Sequence, residues 1–218
     1  MPRSVLIYGA GGAGRELAFC FSFCAEKYHD TVWKLEGFID DTEHLCGQLV
    51  NAVPVLGGFE YLKNYSGDIA VSIAADNPIE KRKAILKIKK NENIKFPLIT
   101  FPNSINGDYV EWGEGCIAVM SVIISTNIKI GDFVFINAAT VIGHDVTIGD
   151  YTTLFAGIIV SGWVSIGSEC VIGSGVTILP RVKIGDGSII VAGSLVSKDI
   201  PPKVIAGGFP ARVIKKIE

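Results

Sequence analysis

Two hydrophobic rhythms divide this 218-residue chain. From Val5 to about Lys95, short apolar runs alternate with amphipathic stretches. Residues 5–8, 35–39, 53–56 and 69–74 read as strands. Residues 15–26 read as a helix with Leu17, Phe21 and Cys24 on one face, and 78–90 as a second amphipathic helix. This alternation predicts a small parallel sheet with helices packed on it. After Phe101-Pro102 the helical signals stop and the period becomes six. Every sixth residue from Ile124 through Ile130, Ile136 and Ile142 to Val196 is aliphatic, thirteen in succession without a register slip. Small or β-branched residues such as Val134, Val146, Val164, Val176 and Val182 stand two positions earlier, and glycines follow at 131, 143, 149, 167, 173 and 185. Neither an α-helix nor a flat strand has this period. A triangular coil does. Each six-residue side turns one aliphatic inward, eighteen residues complete a turn, and the glycines are expected to supply positive φ at the corners.

The expected organisation is an α/β Rossmann-like domain over residues 1–100, an all-β parallel β-helix over 101–202 and a C-terminal tail over 203–218. With 20 Lys plus Arg against 22 Asp plus Glu, the formal net charge is -2. That balance argues against general nucleic-acid binding, which needs a basic surface to displace counterions. No segment reads as a signal peptide or a membrane span. The five cysteines show no paired metal spacing, and Cys20 and Cys24 read as reduced core thiols. These points favour the cytoplasm.

Two places carry chemistry. The first is the loop after residues 5–8, where Gly9, Gly11 and Gly14 fit G-x-G-x-x-G, with Gly12 and Ala13 between them. Such a strand-to-helix turn offers N–H groups and the positive end of a helix to phosphates. The second is Ile142-Gly143-His144-Asp145. His144 is the only histidine of the repeat region, and its place after a corner glycine projects it outward. His29 and His44 lie in polar loops and read as surface residues. The basic run Lys81-Arg82-Lys83 reads as a solvated helix face.

The repeats, with Val204-Ile205-Ala206-Gly207-Gly208-Phe209-Pro210-Ala211-Arg212 after them, resemble the hexapeptide-repeat acyltransferase superfamily and its closing motif of glycine, any residue, proline, alanine and a basic residue. The resemblance implies a left-handed β-helix, although the general rule for parallel crossovers is right-handed. A glycine-loop domain joined to such a β-helix is similar to the bacterial nucleotide-sugar N-acetyltransferases that acetylate 4-amino-4,6-dideoxy sugars, of the sialic acid O-acetyltransferase family. The implied function is transfer of an acetyl group from acetyl-CoA to the amine of a UDP- or dTDP-linked amino-deoxy sugar, in bacterial surface glycan biosynthesis. The alternative is O-acetylation of a sugar hydroxyl.

Thioester aminolysis needs a base for the nucleophile's proton and a donor for the oxyanion. The resemblance implies His144 as that base. Asp145 is the nearest carboxylate, and relatives are acidic there. Neighbouring strand residues point to opposite faces, so Asp145 orients the imidazole only if the corner turns it outward. By resemblance, Asn137 contacts the site from its turn or across a subunit boundary, and the Gly162 N–H holds the thioester carbonyl. Ser174, Ala192 and Gly193 then line the pantetheine groove along the same face, and Pro210 approaches the adenine. Thr153 stands where relatives often carry a second histidine contacting the acyl-CoA, and a hydroxyl there cannot serve as a base. In the first domain, Asp40 or Asp41 is expected to accept from a pyrimidine ring N–H, with Asn77 as a weaker candidate. Fewer than 100 residues precede the repeats, which is short for a full dinucleotide fold and disfavours NAD.

Two other classes fit less well. A zinc enzyme of the carbonic anhydrase kind needs three histidine ligands, and the repeats supply one. A non-catalytic scaffold gives no reason for the His-Asp pair or the tail motif. No metal is expected. Flat prism sides and an interfacial site in relatives predict a homotrimer, with Phe133, Phe135, Tyr151, Phe155 and Trp163 as residues that could face a partner.

Overall fold

The computed structural model describes residues 3–29 and 32–217. The chain forms two compact units, Met1–Pro97 and Leu98–Glu218.

In the first unit the strands are β1 (Arg3–Tyr8), β2 (Trp33–Ile39), β3 (Leu49–Val50), β4 (Val53–Gly57), β5 (Ile69–Ile73) and β6 (Ile94–Lys95). The helices are α1 (Gly12–Tyr28), α2 (Phe59–Lys63) and α3 (Pro78–Ile88). The sheet order is β3-β4-β2-β1-β5-β6, parallel except for the β3–β4 pair. Strand β1 is apolar without alternation because helices cover both faces of a parallel sheet, and Val5, Leu6 and Ile7 are fully buried. The chain leaves β1 towards β2 and later returns to β5 on the other side. The gap between the carboxyl ends of β1 and β5 is therefore the point where the strand order reverses, the usual ligand crevice of such sheets. Helix α1 buries Leu17, Ala18, Phe21 and Cys24. A Cβ on Gly14 would overlap the Gly9 carbonyl, so glycine is what lets α1 pass over the loop. The basic run differs from expectation: Lys81 is fully buried on α3, while Arg82 and Lys83 are exposed. A charge run does not show which members its helix turns inward.

The second unit begins before the six-residue period becomes visible. One face stacks β7 (Ile99–Thr100), β10 (Ile117–Ala118), β13 (Phe135–Ile136), β16 (Thr153–Leu154), β19 (Val171–Ile172) and β22 (Ile189–Ile190). The next stacks β8 (Ile105–Asn106), β11 (Ile123–Ile124), β14 (Val141–Ile142), β17 (Ile159–Val160), β20 (Thr177–Ile178) and β23 (Leu195–Val196). The third stacks β9 (Val110–Trp112), β12 (Ile128–Ile130), β15 (Thr147–Ile148), β18 (Ser165–Ile166) and β21 (Lys183–Ile184). All these pairings are parallel, and most join residues eighteen apart, as in Phe135 with Thr153 and Val141 with Ile159. The thirteen predicted aliphatics are buried, and with the valines before them they form one continuous core. Burying each such side chain contributes about 1.5–3 kcal/mol. The tail is a hairpin. Strand β24 (Val204–Gly208) pairs parallel with β22, and β25 (Ala211–Lys216) returns antiparallel to it.

The corners use glycine differently from expectation. Gly131, Gly143, Gly149, Gly167, Gly173 and Gly185 have no positive φ. A Cβ on them would instead crowd the next coil, as at Gly143, where it would lie 3.0 Å from the Gly162 nitrogen. The left-handed residue stands two positions later and is often not glycine: Phe133 (φ 55°), Asp145 (φ 56°), Tyr151 (φ 60°) and Glu169 (φ 56°).

Candidate active site

His144 stands at the corner after β14, with a side chain 44% exposed. Asp145 follows in the left-handed conformation, which abolishes the strand alternation and keeps its side chain on the outside. Its Oδ2 lies 2.8 Å from His144 Nδ1. A carboxylate only accepts, so Nδ1 is the donor, and in the neutral ring the lone pair stands on Nε2. Trp163, in the corresponding left-handed position one coil on, meets the imidazole edge-on at 4.4 Å between centroids and 89° between planes. Arg181, another coil on, lies 4.3 Å over the Trp163 ring.

Gly162 lies directly beneath the imidazole. A Cβ there would come 2.7 Å from Nε2 and 2.6 Å from Cε1, so glycine is required by the ring rather than by φ. At the corners after β9, β12 and β18, a carboxylate from the following coil accepts the corner N–H. Asp132 accepts from Glu114 N, Asp150 from Asp132 N, and Asp186 from Ser168 N, all at 2.8–2.9 Å. At the His144 corner the residue one coil beyond Gly162 is Pro180, which has no acceptor side chain. Among the described residues the Gly162 N–H has no acceptor. A basic nitrogen and an open N–H donor thus stand side by side.

The other expected site residues are spread out. Asn137 is nearly buried at the corner before β14, where its Oδ1 accepts from Ala138 N. Ser174, Ala192 and Gly193 are exposed and share that corner edge with Ala156, joined by Gly175 N–Ala156 O and Gly193 N–Ser174 O bonds of 2.9 Å. They bound the face of β14, β17, β20 and β23 at the edge opposite His144 and Gly162, not beside them. Thr153 has no exposed surface, so it presents no hydroxyl at the surface of the chain. Pro210 is exposed at the hairpin turn beside Phe209. The sequence reading missed Trp163 as a neighbour of His144 and Arg181 as the cation over the Trp163 ring. The repeat itself carries the signal: both share Asp145's position in successive eighteen-residue coils.

Two of the aromatics expected to face a partner do not. Phe133 and Phe135 are buried within the chain, Phe133 stacked on Tyr151 at 5.7 Å. The exposed apolar ridge is aliphatic instead: Ile105, Ile123, Val141 and Ile159 align on β8, β11, β14 and β17.

In the first unit, Gly9 (φ 104°) makes the turn after β1, and Gly11 caps α1 without a side-chain bond. A Cβ on Gly11 or Gly12 would meet open space, whereas Ala13 and Gly14 are buried against the unit. Asp40 Oδ2 accepts from Ala10 N at 2.7 Å and Oδ1 from Thr42 N at 2.9 Å. Burial alone would raise the Asp40 carboxyl, but the Ala10 N–H, the Thr42 hydroxyl and N–H, and His44 nearby together outweigh it and hold it below the usual aspartate range. Asp41 Oδ1 accepts from Phe59 N and Oδ2 from Tyr8 OH, both at 2.6 Å. Burial first, then this bond, pushes the Tyr8 phenol up. Both carboxylates thus latch the Gly9 loop and the α2 entry, and both line a recess of about 520 Å³ with Glu43, Cys46, Phe59 and Lys87. Asn77 is the N-cap of α3, accepting from Ile79 N and Glu80 N at 2.9 and 3.2 Å. Asp76 beside it is raised by burial, against the pull of Lys81. Among the described residues no helix is long and apolar enough to cross a membrane, and no cluster of metal-ligating side chains occurs.

The family described as bacterial transferase hexapeptide (six repeats) matches residues 164–198. Comparison with curated proteins gives no match. Solved structures match over nearly the whole chain. PerB from Caulobacter crescentus, in complex with CoA and GDP-perosamine, is 26% identical, with 96% of each chain covered and a TM-score of 0.83. WeeI from Acinetobacter baumannii AYE is 28% identical, covering 97% of this chain and 100% of that one, with a TM-score of 0.83. The acetyltransferase domain of PglB from Neisseria gonorrhoeae FA1090, in complex with acetyl coenzyme A, shares the fold at 22% identity, covering 98% of this chain and 100% of that one, with a TM-score of 0.87. The coil accordingly has the fold of these acetyltransferases, the left-handed parallel β-helix, and the hexapeptide model matches residues 164–198 within it.

Proposed function

We propose that this protein transfers the acetyl group of acetyl-CoA to the amino group of a nucleotide-linked amino-deoxy sugar, a UDP or dTDP sugar of bacterial surface glycan biosynthesis, with His144 as general base. The observation that carries this reading is the His144–Asp145 pair, its Nε2 free beside the open Gly162 N–H. The amine attacks the thioester carbon, and the carbonyl electron pair moves onto oxygen, where the Gly162 N–H stabilises it. Nε2 takes the amine proton, Asp145 holds the imidazolium, and collapse of the intermediate expels the CoA thiolate, which is reprotonated. The whole-chain likeness to the CoA- and GDP-perosamine-bound PerB supports both donor and acceptor classes. Within the chain, Ser174, Ala192, Gly193 and Pro210 are the exposed candidates for the CoA arm. Thr153 and Asn137 lack that exposure.

The first unit is the nucleotide-binding part. Its support is the strand-order reversal at β1 and β5, the open Gly11-Gly12 turn at the start of α1, and the Asp40–Asp41 recess. The assembly is a homotrimer in which the aliphatic ridge of Ile105, Ile123, Val141 and Ile159 is covered by neighbouring prisms, and the enzyme works in the cytoplasm. Calorimetry with UDP, dTDP, GDP and NAD, followed by mass analysis of acceptors incubated with acetyl-CoA, tests the reading. Binding of a nucleoside diphosphate and an acetylated amine are expected. NAD binding alone, or acetylation only of a hydroxyl, overturns it.

A further inference from the structure

We propose that Trp163, braced by Arg181, is a positioning residue that fixes the imidazole of His144 for proton transfer; this rests on the reading of His144 as the base. Two pairs of left-handed corner residues eighteen apart meet side chain to side chain, Phe133 with Tyr151 and Trp163 with Arg181. At the first aromatic corner this stacking buries Phe133 against Tyr151. At the catalytic corner it does not. Trp163 is 48% exposed and packs instead against His144 on one coil and Arg181 on the next. A bulky residue in this backbone conformation is disfavoured by Cβ crowding, and an exposed indole recovers little burial in return.

The geometry gives the indole a task. The Nδ1–Asp145 bond fixes one ring atom and leaves the imidazole free to pivot about the 2.8 Å contact. The Gly162 backbone closes the space under Nε2 and Cε1. Trp163, meeting the ring at 89°, blocks the remaining swing. The Arg181 guanidinium carbon lies 4.3 Å over the indole, a contact arginine favours, and keeps the indole from rotating away. Nε2 is thereby held beside the Gly162 N–H. Misplacing a catalytic group by about 1 Å costs about 10²-fold in rate.

The test compares Trp163→Ala, Trp163→Leu, Trp163→Phe, Arg181→Gln and His144→Ala in the intact protein, by steady-state kinetics with acetyl-CoA and an acetylated amino-sugar nucleotide as product. Trp163→Ala and Trp163→Leu are expected to lower kcat by about 10- to 10²-fold with the KM for acetyl-CoA unchanged. Trp163→Phe restores most of kcat, because it keeps a flat ring against the imidazole. Arg181→Gln costs about two- to fivefold. Should Trp163→Ala not fold, Trp163→Leu, which keeps bulk without a flat ring, carries the same expectation. The proposal is overturned if either variant keeps wild-type kcat while His144→Ala is inactive, if the loss appears in KM alone, or if Trp163→Phe is no better than Trp163→Leu. Wild-type kcat in His144→Ala overturns the base reading itself.

Discussion

Replacing Gly162 by alanine puts one methyl group where the imidazole ring lies. The backbone at 162 is not left-handed, so the substitution brings no conformational strain. The new Cβ would lie 2.6 Å from His144 Cε1, 2.7 Å from Nε2 and 3.2 Å from Cδ2. A half-exposed side chain can give way, and the ring must retreat by the better part of an ångström. That retreat breaks the 2.8 Å bond to Asp145 and carries Nε2 away from the Gly162 N–H. Displacement of this size costs about 10²-fold in kcat, or about 2.7 kcal/mol of barrier. Stability should change little, because the His144–Asp145 pair is solvent-exposed and such pairs contribute about 0–1 kcal/mol. Gly149→Ala is the opposite case. Its Cβ would lie 2.6 Å from the Gly167 carbonyl carbon, backbone that cannot swing aside. It should cost about 1–3 kcal/mol of stability while each folded molecule keeps its kcat. Steady-state kinetics and thermal melts on both variants separate the two effects. A Gly162→Ala enzyme with wild-type kcat, or one whose loss is entirely unfolding, refutes the reasoning.

Asp145→Asn should lower kcat less than His144→Ala, since orientation is weakened but the base remains; equal losses measured by the same kinetics would place Asp145 in the proton transfer itself. Ile159→Asp puts a charge on the exposed ridge, and desolvating it at the proposed subunit contact costs several kcal/mol; sedimentation should show the proposed trimer falling to monomer at micromolar concentration, and an unchanged species would remove the ridge from the interface. Asp40, held below the usual aspartate range in the folded chain, contributes stability that is present above the unfolded-state pKa and is lost as pH falls through the depressed one. Asp40→Asn should therefore flatten the loss of stability below about pH 5 in pH-dependent denaturation, and an unchanged acid limb would contradict the Ala10 and Thr42 bonds.

The β-helix was legible because its core is one column repeated. A side chain that faces inward every sixth residue must be aliphatic wherever it falls, and every residue of the column from Ile124 to Val196 is buried. The corner glycines were visible but their reason was not. Period reveals a position, whereas coil-to-coil clearance is set by the neighbour eighteen residues away. The outward face was hardest to read. Phe133 and Phe135 look like partner-facing aromatics in sequence, yet both are buried, and Lys81 is sheltered inside what reads as a solvated run. The His144–Asp145 pair was suggested by adjacency and by the resemblance, and the left-handed φ at Asp145 is what keeps both side chains on the outside. Ser174 and Ala192 came from the resemblance; they stand 30 and 48 residues after His144, twelve beyond whole eighteen-residue turns, so the triangular coil puts them at a different corner, on the edge opposite the histidine.

The most direct measurement is kcat for His144→Ala with acetyl-CoA and a nucleotide-linked amino sugar, with folding confirmed by circular dichroism. Loss of the base should lower kcat by about 10²–10⁴-fold and leave the KM for acetyl-CoA nearly unchanged. A folded His144→Ala enzyme that acetylates the sugar at the wild-type rate would show that His144 is only a corner residue and contradict the mechanism.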